Sequence, residues 1–139
     1  MQFILVGLDE SEAALDAARF AATLAQRTGD VGLRLAYVSA PNLLPERPWS
    51  ALVHELKEEE ARYVQGFLDR AAAQLHGCAV ETKRASGPQA ETFAGLADAP
   101  DVWFACVGSR GQGAVQRVLL GSFADRVVHV CRKPVLVVR

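Results

Sequence analysis

Eleven glycines are spread along this chain, but only between positions 108 and 122 do they gather with a hydroxyl and a cation at a spacing that could hold an anion. Gly108-Ser109-Arg110-Gly111-Gln112-Gly113 opens the segment and Gly121-Ser122 closes it. Glycines packed in this way let backbone N–H groups turn toward one point, the arrangement of an anion nest. The second arm stands at the start of a helical pattern, where N–H groups without an intrahelical partner and the helix dipole favour a phosphate. Arg110 would add charge, one charge-assisted hydrogen bond contributing about 1.5–3 kcal/mol. The plainer alternative is that the glycines only permit turns and that Ser122 with Asp125 forms a helix capping box. Two common phosphate motifs are excluded. The segment lacks the Gly-Lys-Ser/Thr ending of a P-loop, and Gln116 stands where a Gly-x-Gly-x-x-Gly fingerprint requires glycine.

The elements that must position this segment follow from apolar periodicity. Phe3 to Leu8 is a continuous apolar run ending at Asp9, which suits a central strand covered on both faces. From Glu10 to about Thr28, Ala13, Ala17, Phe20, Ala21 and Leu24 recur at helical spacing, and Gly29 is the stop signal. Val31 to Val38 is a second strand, after which Pro41, Pro45 and Pro48 forbid regular structure until about Ser50. A second helix places Val53, Leu56, Tyr63, Val64, Phe67, Ala71 and Leu75 on one stripe, leaves Lys57-Glu58-Glu59 on a solvated face, and ends at Gly77. Ala79 to Arg84 is a short third strand, Gly87-Pro88 a joint, and Gln89 to Leu96 a third helix. Val102 to Val107, with Trp103 as a sheet-packing residue, is a fourth strand buried on both sides. Phe123 to about Cys131 is the last helix, and Pro134 to Val138 the last strand. Strands alternating with helices describe a single doubly wound α/β domain with a parallel sheet. Between the fourth strand and the last helix lie more than a dozen residues where about 2–6 is usual, at the strand end where open α/β sheets bind ligands.

Composition narrows the partners. The chain has 139 residues, half of them hydrophobic and 22% charged, the balance of an ordinary globular protein, and its 15 basic and 16 acidic residues are mixed along it. No footprint for nucleic acid or an anionic membrane is present, and no apolar run approaches the ~20 residues that span a bilayer. With no export signal at Met1 to Gly7, the expected location is the cytoplasm. Cys78, Cys106 and Cys131 are too widely spaced for a disulfide framework or a zinc site and read as free buried thiols. His54, His76 and His129 lack metal-site spacing and read as surface or helix-packing residues.

Gly108-x2-Gly111-x9-Gly121-Ser122 resembles the Gly-x2-Gly-x9-Gly-Ser/Thr ATP-binding signature of the universal stress protein family. The similarity extends through Ile4-Leu5-Val6-Gly7-Leu8-Asp9-Glu10-Ser11, Leu119-Leu120 and Pro134 to Val138, and the order of elements agrees over essentially the whole chain. The resemblance implies a five-stranded parallel sheet of order 3-2-1-4-5 with helices on both faces. It also implies an adenine nucleotide, ATP or a relative, with its base near Leu8, Val38 and Val107, the backbone of Val38 reading the base edge. Asp9 would meet the ribose or a magnesium ion, although followed by Glu12 it also fits the N-cap of the first helix. Gly108, Arg110, Gly111 and Gln112 would line one side of the phosphates, and Gly121, Ser122 and Phe123 the other. Phe123-Ala124 departs from the small aliphatic and hydroxyl residues common in the family and removes one phosphate hydroxyl.

Three classes of function fit these residues: a nucleotide-binding regulatory or stress-response module, a nucleotide-free interaction module of the same fold, and a slow ATP-consuming enzyme. Hydrolysis or phosphoryl transfer requires a positioned base or water-orienting residue and usually a metal cage, and the sequence displays no such constellation. The first class is therefore the expectation, with no catalytic residue assigned. In order 3-2-1-4-5 the last strand lies at a sheet edge, where an apolar row of backbone groups is an association hazard and Pro134 is tolerated at the strand start. A homodimer through that strand is expected, as the resemblance also implies.

Overall fold

The apolar strand runs become a sheet with a core on each face, and the two-residue period of β-structure divides the side chains between them. The computed structural model describes residues 1–41, 50–111 and 120–139. In chain order the elements are β1 (Gln2–Gly7), α1 (Glu12–Thr28), β2 (Val31–Ser39), α2 (Ser50–Ala73), β3 (Val80–Ser86), α3 (Gln89–Ala97), β4 (Val102–Gly108), α4 (Ser122–Val130) and β5 (Val135–Val138). All strand pairs are parallel, in the order β3-β2-β1-β4-β5. Sequence and structure thus agree on the doubly wound α/β class and on the strand order.

Ile4 and Val6 of β1, Leu33 and Leu35 of β2 and Cys106 of β4 pack against α1 and α2. Leu5, Ala36, Val38, Ala105 and Val107 turn the other way, toward Phe93 of α3 and Val127 of α4. β1, paired on both sides by β2 and β4, is buried from Ile4 to Gly7. Its place at the centre explains the lack of polar alternation in Phe3 to Leu8.

Two helix stripes sit differently from the periodicity. α1 buries Ala14, Ala17, Ala18, Ala21, Ala22 and Ala25, while Phe20 is half exposed. The cause lies beneath the helix, where a Cβ on Gly108 would stand 2.7 Å from the carbonyl carbon and oxygen of Ala13. Backbone so close to backbone admits only small side chains, so the alanine face turns inward and the phenyl ring outward. α2 buries Val53, Val64, Leu68 and Ala71 but leaves Leu56 and Tyr63 exposed. Leu68, absent from the expected stripe, is fully buried because α2 packs on β2 and β3 through its second half. That helix ends at Ala73, before Gly77, with Gln74 and Leu75 closing three-residue turns onto Ala71 and Ala72. The Lys57-Glu58-Glu59 run is exposed, as expected.

β4 is not covered on both sides along its whole length. Trp103 is 43% exposed and meets Phe104 edge-on, because β5 pairs with β4 only from Ala105 onward. All three histidines are exposed, and the cysteines are free, Cys106 buried and the other two half-buried. Among the described residues no helix is long and apolar enough to cross a membrane. Pro45, Pro48 and Trp49 lie outside the described residues.

Candidate functional site

A cavity of about 510 Å³ opens beyond the carboxyl ends of β1, β2 and β4. This is the switch point of the sheet, since the chain runs from β1 outward to β2 and β3 and then returns to the other side of β1 as β4. Diverging loops leave a crevice there without any special side chain.

The floor is apolar and owes its shape to a glycine. A Cβ on Gly7 would lie 3.1 Å from the Phe93 ring and 3.3 Å from that of Phe123. The two rings meet edge-on with centroids 5.6 Å apart. Phe123 therefore forms a wall of the cavity together with Leu8. Val107 does not reach that wall; it is 1% exposed, within the core on the α3 and α4 side.

Asp9 enters the cavity where β1 has ended. The Leu8 N–H makes the last bond of the strand to the Ala36 carbonyl at 2.8 Å, and the chain then turns into α1. The N-cap of α1 is Ser11, whose hydroxyl accepts from the Ala14 N–H at 3.2 Å, so the alternative role of Asp9 as N-cap is corrected. Asp9 instead holds the capping residue in place, one carboxylate oxygen accepting from the Ser11 N–H at 2.8 Å. The other oxygen would stand 3.1 Å from a Cβ on Gly111. The carboxylate thus lies directly beside the glycine arm.

The two glycine-bearing arms close on one another. Ser109 donates its N–H to the Val138 carbonyl at 2.7 Å and accepts at its own carbonyl from the Gly121 N–H at 2.6 Å. A Cβ on Gly121 would lie 3.3 Å from Arg110 Cα, Gly111 N and Ser109 O, so any side chain here crowds the point where the arms meet. Gly121 is the N-cap of α4, with φ −66° and its carbonyl accepting from Asp125 at 2.9 Å. Ser122 is therefore the first helical residue and not its cap, which removes the capping-box alternative for the Ser122 hydroxyl. The N–H groups of Ser122, Phe123 and Ala124 have no partner within the helix, and all three residues line the cavity. Left-handed backbone among the described residues occurs only at Gly29, Gly77 and Gly87, so Gly108, Gly111 and Gly121 serve close approach rather than unusual φ.

The structure brings together Leu8, Asp9, Val38, Gly108, Arg110, Gly111, Gly121, Ser122 and Phe123 around one cavity, and leaves Val107 beneath it. Gln112 lies outside the described residues. Sequence reasoning missed Gln89, Tyr37 and Phe93, which also line it. The available signal for Gln89 and Phe93 was their place in the first turns of a helix that follows a strand, at the same end of the sheet as the glycine segment.

The architecture and its cavity define a doubly wound α/β domain with a backbone-rich pocket at the switch point. The chain belongs to the universal stress protein family, whose model matches residues 1–139. It is 35% identical over 141 residues to a universal stress protein of Mycolicibacterium smegmatis, covering 97% of this chain and 47% of that relative. The chain thus spans about half the length of that protein. The solved structure of universal stress protein UspA from Lactobacillus plantarum superposes with a TM-score of 0.84 at 25% identity, covering 99% of this chain and 97% of the other. A universal stress protein solved in complex with cAMP gives a TM-score of 0.64 at 25% identity, covering 99% of this chain and 96% of the other.

Proposed function

We propose that this protein binds an adenine nucleotide in the switch-point cavity and acts as a cytoplasmic regulatory module, a single domain over residues 1–139, with little or no turnover. The observation that carries the reading is the closure of Gly121 onto the backbone of residues 109–111, with the first N–H groups of α4 beside it. Backbone donors gathered at a helix N-terminus suit phosphate oxygens. Leu8, Phe93 and Phe123 offer apolar surface to a base, and the Val38 carbonyl at the cavity mouth offers an acceptor to its edge. The relative bound to cAMP supports the same class of ligand.

Asp9 is the residue that would meet a magnesium ion carried in with the phosphates. The Asp9 carboxylate, beside the backbone of Gly111, would supply an oxygen donor of the kind a hard cation takes. Bound there with phosphate, the ion would neutralise the repulsion between Asp9 and the anion. The half-buried apolar strand β5, at the sheet edge, is the natural surface for a homodimer, since pairing with a second copy covers its open side.

Calorimetric titration with ATP, AMP and GTP, with and without magnesium, tests the reading. Adenine nucleotides should bind with about −5 to −8 kcal/mol, micromolar to sub-millimolar affinity. Gly121→Val should abolish binding because its side chain fills the contact with the 109–111 backbone. Absence of adenine-nucleotide binding, or a folded Gly121→Val variant that binds like the wild type, overturns the proposal.

A further inference from the structure

We propose that Gln89 sets the base preference of this cavity and broadens it toward 6-oxo purines; the inference rests on the nucleotide-binding reading above. It begins from a carbonyl left without a strand. Along β2 the carbonyls of Ala36 and Val38 lie on the same edge, two residues apart, and Ala36 is bonded by Leu8, the residue that follows β1. Val38 lies beyond the end of β1, so among the described residues no ladder partner faces its carbonyl. The Ser39 carbonyl, on the opposite edge, is taken by Gly87. The side chain of Gln89, from the first residue of α3, crosses the cavity mouth and donates its amide nitrogen to the Val38 carbonyl at 3.1 Å.

That amide nitrogen carries two hydrogens, and a carbonyl oxygen has two lone pairs. Gln89 holds one of those lone pairs at the cavity mouth, so the amino group of a 6-amino purine has to share the Val38 oxygen with it or displace it. Its second N–H remains for the cavity, where the carbonyl of a 6-oxo purine could accept it. Without Gln89, such a carbonyl would face the Val38 oxygen, acceptor against acceptor. Both effects act in one direction: the side chain weakens the preference for 6-amino over 6-oxo bases. Its exposure at the mouth lets it return to water when displaced.

The test is titration of AMP and IMP into the wild type, Gln89→Met and Gln89→Ala. Met keeps the bulk and removes the donor; Ala removes both. Both variants should raise the ratio of AMP to IMP affinity by about two- to tenfold, the range of one neutral hydrogen bond. A ratio that is unchanged or falls in either variant overturns the role of Gln89 while leaving the nucleotide site standing. If neither nucleotide binds the wild type, the functional reading itself fails and this inference fails with it.

Discussion

Adding a single methyl group at Gly108 should have an effect opposite in sign to adding the same group at Gly95. At Gly108 a Cβ would lie 2.7 Å from the carbonyl carbon and oxygen of Ala13 and 3.0 Å from the Ala14 nitrogen, all backbone atoms of the first turn of α1. Carbon contacts are comfortable at about 3.5–4.0 Å, so the helix must lift by roughly 1 Å, and its alanine face loses contact with the sheet. Overpacking of this kind costs about 1–3 kcal/mol. At Gly95, inside α3, nothing lies within 4 Å of the added carbon. There, alanine restricts the unfolded chain and favours the helix by about 0.5–1 kcal/mol. With an unfolding entropy of ~2.1 cal/mol/K per residue, a chain of 139 residues shifts its midpoint by about 3–4 °C per kcal/mol. Differential scanning calorimetry should place Gly108→Ala about 3–10 °C below the wild type and Gly95→Ala about 2–4 °C above it. Because the first turn of α1 follows Asp9, Gly108→Ala should also weaken nucleotide binding, and Gly95→Ala should not. A Gly108→Ala midpoint within 1–2 °C of the wild type would refute the argument that backbone contact dictates this glycine and the alanine face above it.

The Arg34 guanidinium grips Asp101 through two bonds, of 3.0 and 2.6 Å, and holds its carboxyl below the ordinary 3.8. A depressed folded-state value gives stability that is present above the unfolded carboxylate range and lost as pH falls through the folded value, so the midpoint gap between wild type and Asp101→Asn should be full at about pH 6–7 and close below about pH 4. A gap that persists or widens in acid contradicts this. Burial pushes the Cys106 thiol up to about 12, so iodoacetamide at about pH 8 should leave it unmodified in the native protein and label it only after denaturation, as read by peptide mass spectrometry. Labelling of native Cys106 would contradict its burial. Leu136→Lys, at the edge strand, should shift the sedimentation profile toward monomer or aggregate, whereas a wild type that sediments as a monomer at micromolar concentration sinks the proposed homodimer.

The sheet was legible because β1 and β4 are apolar almost throughout and because turn signals separate every element. The cavity was legible for the same reason, as a loop of unusual length at the right end of a central strand. What periodicity could not convey was rotation. Phe20 belongs to the apolar count of α1, yet the close approach at Gly108 excludes it, and that distance is a property of two segments far apart in sequence. Leu68 and Tyr63 exchanged their expected places because α2 meets the sheet only through part of its length. Asp9 and Ser11 are equally good capping residue types, and where β1 stopped decided between them. Gln89 was marked only by its place at the start of a helix that follows a strand. Its significance arises from the Val38 carbonyl, a backbone group whose lack of a strand partner becomes visible only when the ends of β1 and β2 are compared.

The peptide groups flanking Ser109 are bonded in two directions, its N–H to the end of β5 and its carbonyl to the start of α4. Each bond hides one amide proton from solvent, and the two protons report on different openings. The Ser109 amide should exchange with deuterium when β5 peels from the sheet edge, and the Gly121 amide when the two arms of the cavity part. Two residues thus form a pair of native clocks, one for the edge and one for the cavity mouth, in the same chain and without an added label.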